Sequence, residues 1–383
     1  MKTIKYIFLF CIILVFRFEP LNAQSLDSLL QLVVENNTQL KSIELEYQSL
    51  LEKKNQVNQL PNPQIGVGVP ALRPETRLGP QMMMVSASQM FPWFGSLSAK
   101  GDAAAAVAQA NYLQFIDARE KLMSQLKADY YKLWEVQKLI DLEAENLKIL
   151  KSYEELTTTR ISNGSGKLSD AYRVQIQIEE SETRLKILRN QMAPLERVIN
   201  RKLSREVSEK VILVDTILVD EMMIVSADSL SHPSVAKYAE LQKGAEYQVK
   251  ASKKNGLPKI GLGLDYVVVD KRPDMAVPDN GSDAIMPMVS ISLPIWRKQY
   301  SGAIKSAELM QKQYQLEAQN EWDVLESSRD MQLFKLRQAQ HEMKLYEGEV
   351  TLVSKTLELV TTDYANGRVD FEEVLRLQQK TIQ

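Results

Sequence analysis

Thiol and imidazole chemistry has almost no material in this chain, which carries one cysteine and two histidines in 383 residues. Cys11 lies in an apolar run near the N-terminus, and His232 and His341 are far apart without a Glu-x-x-His partner. These scarcities exclude a disulfide framework, a thiolate metal site and the common zinc centres, and no catalytic, cofactor or metal site is expected. A basic surplus is missing too. The 47 Lys plus Arg face 49 Asp plus Glu, spread along the sequence with no basic stripe for nucleic acid. Beyond the N-terminus no stretch approaches the roughly eighteen apolar residues of a transmembrane helix. An exported chain of this kind can still enter a membrane if its strands close a barrel.

What is present begins with a leader. Met1-Lys2-Thr3-Ile4-Lys5 is basic, Tyr6 to Phe16 is apolar, and Leu21-Asn22-Ala23 offers a small-residue cleavage site. Residues 1–23 are therefore expected to be a signal peptide, with the mature chain starting near Gln24. Cys11 leaves with it, so the mature protein is expected to carry no thiol and no N-terminal lipid.

The rest is one unit written twice. Asn37-Thr38-Gln39-Leu40 answers to His232-Pro233-Ser234-Val235, and Leu60-Pro61 with Ile65-Gly66-Val67-Gly68 answers to Leu257-Pro258 with Ile260-Gly261-Leu262-Gly263. Met84-Val85-Ser86-Ala87-Ser88 precedes Pro92 and Trp93, as Met288-Val289-Ser290-Ile291-Ser292 precedes Pro294 and Trp296. Asn163-Gly164 then lies as far beyond Trp93 as Asn366-Gly367 lies beyond Trp296. A period of about two hundred residues is too long for a solenoid and marks duplication of a whole structural unit. The segments are residues 24–200, a connecting segment 201–231, and residues 232–383, whose last helix is shorter than its counterpart.

Each unit reads as helix, two strands, a very long helix and a return helix. In the first, Ser25 caps a helix over Leu26 to Val34, and a second helix runs to about Gln59, where Pro61 and Pro63 stop it. Strands follow over Gln64 to about Val69 and Met82 to Met90. Neither glycine nor proline occurs between Asp102 and Asn163, and Leu122, Leu126, Tyr130, Leu133, Val136, Ile140 and Leu147 recur at helical spacing. A helix of that length reaches on the order of 90 to 100 Å. The return helix, about Lys167 to Asn200, is expected to break or bend near Pro194. Val211-Ile212-Leu213-Val214 and Ile217-Leu218-Val219 read as short extended pieces. The second unit repeats the order with a helix from Pro233 to about Lys253 and strands over Lys259 to Val269 and Ala284 to Leu293. Its long helix runs from about Gly302 to Asn366, with a seam at Tyr346, Val350, Val353, Leu357 and Val360.

Four long strands cannot close a barrel, and open strand edges cannot sit in lipid, where each unpaired N–H or C=O costs several kcal/mol. Equivalent strands of further copies can supply the missing partners. The duplicated unit, the Leu-Pro before each first strand, the Ser-x-Ser and proline ending each second strand, and the Asn-Gly turn followed by an acid together resemble the TolC family of bacterial outer-membrane efflux factors. That resemblance covers essentially the whole mature chain. It implies a mainly α protein with a small β part: duplicated coiled-coil hairpins forming a periplasmic α-barrel, and four strands per chain in a homotrimeric, twelve-stranded β-barrel. It further implies a non-enzymatic duct in the outer membrane, joined by a periplasmic adaptor to an inner-membrane pump.

Site residues follow from the same resemblance. Asp170 and Glu373, each six residues after the tip glycine, are the candidate periplasmic gate. Asn163, Gly164, Lys167, Leu168, Asn366, Gly367, Arg368 and Phe371 are candidate tip and adaptor contacts. A structural role for the acids in the first helical turn is equally open. Phe91, Trp93, Phe94 and Trp296, at strand-to-helix junctions, are candidate membrane-interface aromatics. Met82, Met83, Met84, Met90, Met275, Met286 and Met288 could form a soft thioether path for copper, but strands alternate faces, so lipid-facing or packed methionine is preferred. Asn163-Gly164-Ser165-Gly166-Lys167 imitates a phosphate-binding loop, yet Ile161 replaces its first glycine and Leu168 its Ser or Thr. The rival functions are a periplasmic coiled-coil scaffold or adhesin stalk and a stand-alone nutrient porin.

Overall fold

The computed structural model describes residues 26–217, 232–274 and 276–382. The expected leader with Cys11, the Ser25 cap, Leu218, Val219 and Met275 fall outside them. The described chain runs α1 (Leu26–Asn36), α2 (Thr38–Val57), β1 (Gln64–Gly68), β2 (Glu75–Thr76), β3 (Gly79–Phe91), α3 (Ser96–Ser162) and α4 (Leu168–Lys202). The second repeat follows as α5 (Pro233–Asn255), β4 (Lys259–Val269), β5 (Ala284–Ser292), α6 (Arg297–Ala365) and α7 (Phe371–Ile382). The order expected from the duplication is therefore present. None of the described helices is long and apolar enough to cross a membrane.

Local chemistry accounts for the boundaries. Without glycine or proline to stop it after Asp102, α3 continues for 67 residues. Pro233 opens α5 at the position where its missing N–H is harmless, and His232 caps it, with Nδ1 accepting from the Ser234 N–H at 3.3 Å. That capping contact gives His232 a structural role. The predicted break at Pro194 does not occur: α4 is one 35-residue helix. The carbonyl that Pro194 leaves without a partner belongs to Asn190, which is exposed, so water can take the bond.

The chain divides into two compact units. One comprises Gln39–Ala118 and Ser226–Met331 and holds an antiparallel sheet in the order β1-β3-β4-β5, with two-residue β2 pairing β3 to one side. β3 of the first repeat pairs β4 of the second from Met83↔Val268 to Phe91↔Ile260. The two repeats thus share one sheet, whose outer strands β1 and β5 each have one edge that no other strand pairs among the described residues.

The other unit comprises Met1–Thr38, Arg119–Val225 and Gln332–Gln383. One of its cores joins Leu29, Leu30 and Val33 of α1 to Leu126, Tyr130 and Leu133 of α3 and Ile199 of α4. Val211 is buried in that core, and the short extended piece expected at 211–214 pairs with no strand among the described residues. Side chains replace the ladder: the Val214 N–H donates to the Tyr130 hydroxyl at 3.1 Å, and the Val214 carbonyl accepts from Trp134 Nε1 at 2.8 Å. A second core, at the hairpin ends, contains Leu150, Tyr153, Val174, Ile178, Tyr364, Phe371, Val374 and Leu375.

Candidate functional site

The two helical hairpins, α3–α4 and α6–α7, end in the same turn. Gly164 and Gly367 are left-handed, at φ 71° and 75°. Their N–H groups donate to the Ile161 and Tyr364 carbonyls at 2.9 Å, while the Ser165 and Arg368 N–H groups donate to the Arg160 and Asp363 carbonyls at 2.9 Å. Glycine satisfies the last carbonyls of a helix here without the strain that a side chain would add. Asn163 is exposed, and Asn366 Nδ2 donates to the Thr362 carbonyl at 2.9 Å.

The two candidate gate acids share a spacing but not an environment. Asp170 is buried, and the Tyr364 hydroxyl of the other hairpin donates to its Oδ2 at 3.5 Å. Burial first, and the Asp170 carboxylate second, push the Tyr364 hydroxyl up, which keeps it protonated as the donor. Glu373 is solvent-exposed and bound by Arg376 at 2.6 Å, which holds its carboxyl below the usual range. Phe371 is completely buried, with its ring centroid 4.9 Å from Tyr364 and 5.8 Å from Tyr153. It shapes the tip from within, whereas Lys167, Leu168 and Arg368 present exposed surface.

Contacts between the hairpins supply residues that the sequence reading did not single out. The Arg160 guanidinium lies 4.4 Å over the Tyr364 ring, and its Nη1 donates to the Tyr364 carbonyl. Its Nη2 donates to the Ser165 carbonyl at 3.1 Å. Lys167 pairs with Asp370 at 2.6 Å, and Arg173 pairs with Glu372 at 3.1 Å. One signal for Arg160 was available. Its repeat counterpart is Asp363, a reversal of charge at an otherwise matching turn.

The Lys167–Asp370 pair carries a pH expectation. Lys167 holds the Asp370 carboxyl below its ordinary range. A depressed carboxylate contributes its stabilisation above the unfolded value and loses it as pH falls through the lowered one. The inter-hairpin tie should therefore persist at neutral pH and weaken in acid, below the ordinary carboxylate window. The distance between spin labels placed on the two hairpin tips should grow as pH drops below that window, and Asp370→Asn should flatten the change. Because the pair is exposed, the effect should also shrink at high salt.

In the sheet, register assigns every residue to a face, because directly paired residues point the same way. Ile65, Val67, Val85, Ala87, Phe91, Ile260, Leu262, Leu264, Tyr266, Ile285, Val289 and Ile291 share one face. Many of them are widely exposed, with Ile65 at 77% and Val289 at 71%. The opposite face carries Gly66, Gly68, Ser86, Ser88, Gly261, Gly263, Asp265, Ser290 and Ser292. Met84, Met90, Met286 and Met288 also lie there, while Met83, paired with Val268 two residues before Val85, falls in the aliphatic row. Of the junction aromatics, Phe91 ends the aliphatic row, Trp93 meets Phe94 edge-on at 6.3 Å, and Phe94 and Trp296 are 82% and 80% exposed.

A sheet aliphatic on one face and small and polar on the other, continued into long helical hairpins that end in Asn-Gly turns, is the subunit fold of TolC-like outer-membrane channels. Solved channels share it over most of their length. The Campylobacter jejuni CmeC outer membrane channel matches at TM-score 0.75 and 14% identity, over 93% of this chain and 80% of that one. The open-state Neisseria gonorrhoeae MtrE outer membrane channel matches at 0.73 and 16%, over 93% and 83%. The Vibrio cholerae outer membrane protein VceC matches at 0.72 and 16%, over 93% and 90%. At these identities the likeness is one of fold. No family model matches the chain, and no curated protein matches it in sequence.

Proposed function

We propose that this chain is the passive outer-membrane duct of a tripartite efflux pump. It works as a homotrimer embedded in outer-membrane lipid, and a periplasmic adaptor links it to an inner-membrane pump that supplies the energy. The observation that carries this reading is the two-faced sheet with open edges at β1 and β5. An exposed aliphatic face suits hydrocarbon and a small, polar face suits a water-filled lumen, but the free edges need partners from neighbouring copies. Three chains with four long strands each make a twelve-stranded barrel. The fold shared with outer-membrane channels, one of them an open-state structure, supports transport over a scaffold role.

The test is the protein mass of the detergent-extracted mature chain by light scattering, followed by conductance in a planar bilayer. A trimer that conducts is expected. A stable monomer would leave open edges in the membrane and overturn the duct. At the tip, inter-hairpin contacts keep the periplasmic end closed until the adaptor parts them through Lys167, Leu168 and Arg368. Asp170 and Glu373 make the constriction acidic, the former only once Tyr364 releases it. Asp170→Asn combined with Glu373→Gln should weaken cation selectivity and loosen closure. Unchanged selectivity and conductance in that variant would remove the gate assignment and leave the fold intact.

A further inference from the structure

We propose that the small, polar face of the sheet holds a binding site for a soft monovalent cation, Cu(I) or Ag(I), built from Met286, Met288 and Asp265. Asp265 sits on β4 directly opposite Ser86 of β3 and Met286 of β5. Met84 pairs with Val267 and Met288 with Gly263, one step along β4 on either side of Asp265. Direct cross-strand neighbours have Cβ atoms about 5 Å apart and diagonal ones about 7 to 8 Å. Met286 and Met288, two residues apart on one face of β5, can therefore reach one ion beside the carboxylate, whereas Met84 lies on the far side of Asp265 from Met288 and cannot share it. Glycine at 263 leaves the room: a Cβ there would lie 3.5 Å from Met288 Cβ and 3.4 Å from the Ala87 carbonyl oxygen.

The carboxylate is the second, independent sign of a ligand. Asp265 is 93% buried by the 7% exposure of its residue, and its Oδ1 is buried with no hydrogen-bond partner. A buried carboxylate oxygen without a donor is costly and calls for a water or an ion. Lys259 is the one cationic side chain among the described residues of this face. It lies six positions along β4, about 20 Å at strand rise, too far to neutralise Asp265. The methionines are open to receive an ion, at 45% and 47% exposure for Met286 and Met288. Neutral thioethers select soft d10 ions over sodium, magnesium or calcium, and a single carboxylate balances a single positive charge. Passage of that ion outward rests on the channel reading above, whereas binding does not.

The experiment titrates Ag(I) into detergent-extracted mature protein in thiol-free buffer, where no cysteine of its own competes. Methionine methyl groups are labelled for NMR, and bound silver is counted after desalting. One Ag(I) per chain is expected, with the methyl signals of Met286 and Met288 shifting and that of Met310, on α6, staying in place. Asp265→Asn and the volume-conserving Met286→Leu with Met288→Leu should each weaken binding at least tenfold. No retained silver, or shifts spread equally over all methionines, would overturn the site. So would wild-type affinity in both variants. Conductance measured on the same samples separates this outcome from failure of the duct, since a conducting trimer without silver sinks only the ion site.

Discussion

Arg160→Ala should leave the periplasmic end open, raising the open probability of reconstituted channels by about 10- to 100-fold. Arg160 reaches from the first hairpin to the second, where it donates to the carbonyl of Tyr364 and covers that ring at 4.4 Å. A hydrogen bond to a charged group contributes about 1.5 to 3 kcal/mol, and a partly desolvated cation–π contact about 1 to 2 kcal/mol. Some of this returns as hydration of the freed groups, so a net of roughly 1.4 to 2.8 kcal/mol is reasonable, which is one to two powers of ten. The buried Nε of Arg160 has no partner, so the tie is incomplete even when closed, as suits a contact that must release. Arg160→Lys should fall between wild type and alanine, because an ammonium keeps the charge but loses the planar fork. Lys167→Ala removes only an exposed, solvent-screened ion pair and should open the tip less than about fivefold. Single-channel recording at fixed salt ranks the three. A reversed order, with Lys167→Ala open and Arg160→Ala closed, would show that surface charge and not Arg160 holds the hairpins together.

Much of this architecture was legible because the sequence punctuates itself twice in the same places. Leu60-Pro61 and Leu257-Pro258 end the entry helices, and the glycines at 164 and 367 mark turns that the structure places in the left-handed region. Long helices followed from the absence of breakers together with heptad spacing. What escaped the reading depends on neighbours. Asp170 and Glu373 match in spacing, but one is buried because Tyr364, where the other repeat has Ile161, closes over it. The piece at 211–214 joins no ladder, and Tyr130 and Trp134 take up the Val214 backbone groups instead. β2 spans two residues, Glu75 and Thr76, and exists only through its partner β3. Alternation showed that the methionines could not all share a side. Only the cross-strand register, shifted between Gln81 and Met83, tells which of them do.

The same register makes the sheet testable by charge. Leu264 lies on the aliphatic face, half exposed, between Ala87 and Pro287. An arginine near the hydrocarbon midplane of a barrel costs about 2 to 4 kcal/mol, and a homotrimer incurs it three times over, for roughly 6 to 12 kcal/mol per assembly. Leu264→Arg should therefore abolish outer-membrane assembly, leaving little detergent-resistant trimer in the membrane fraction. Ser88→Arg, diagonal to Leu264 but on the opposite face, should assemble close to normally and alter conductance and ion selectivity. The contrast matters more than either variant alone, because a general folding defect would strike both. Equal loss of trimer in the two would mark a general folding defect and remove the contrast between the faces, and a normal trimer with Leu264→Arg would mean that the aliphatic face does not meet lipid.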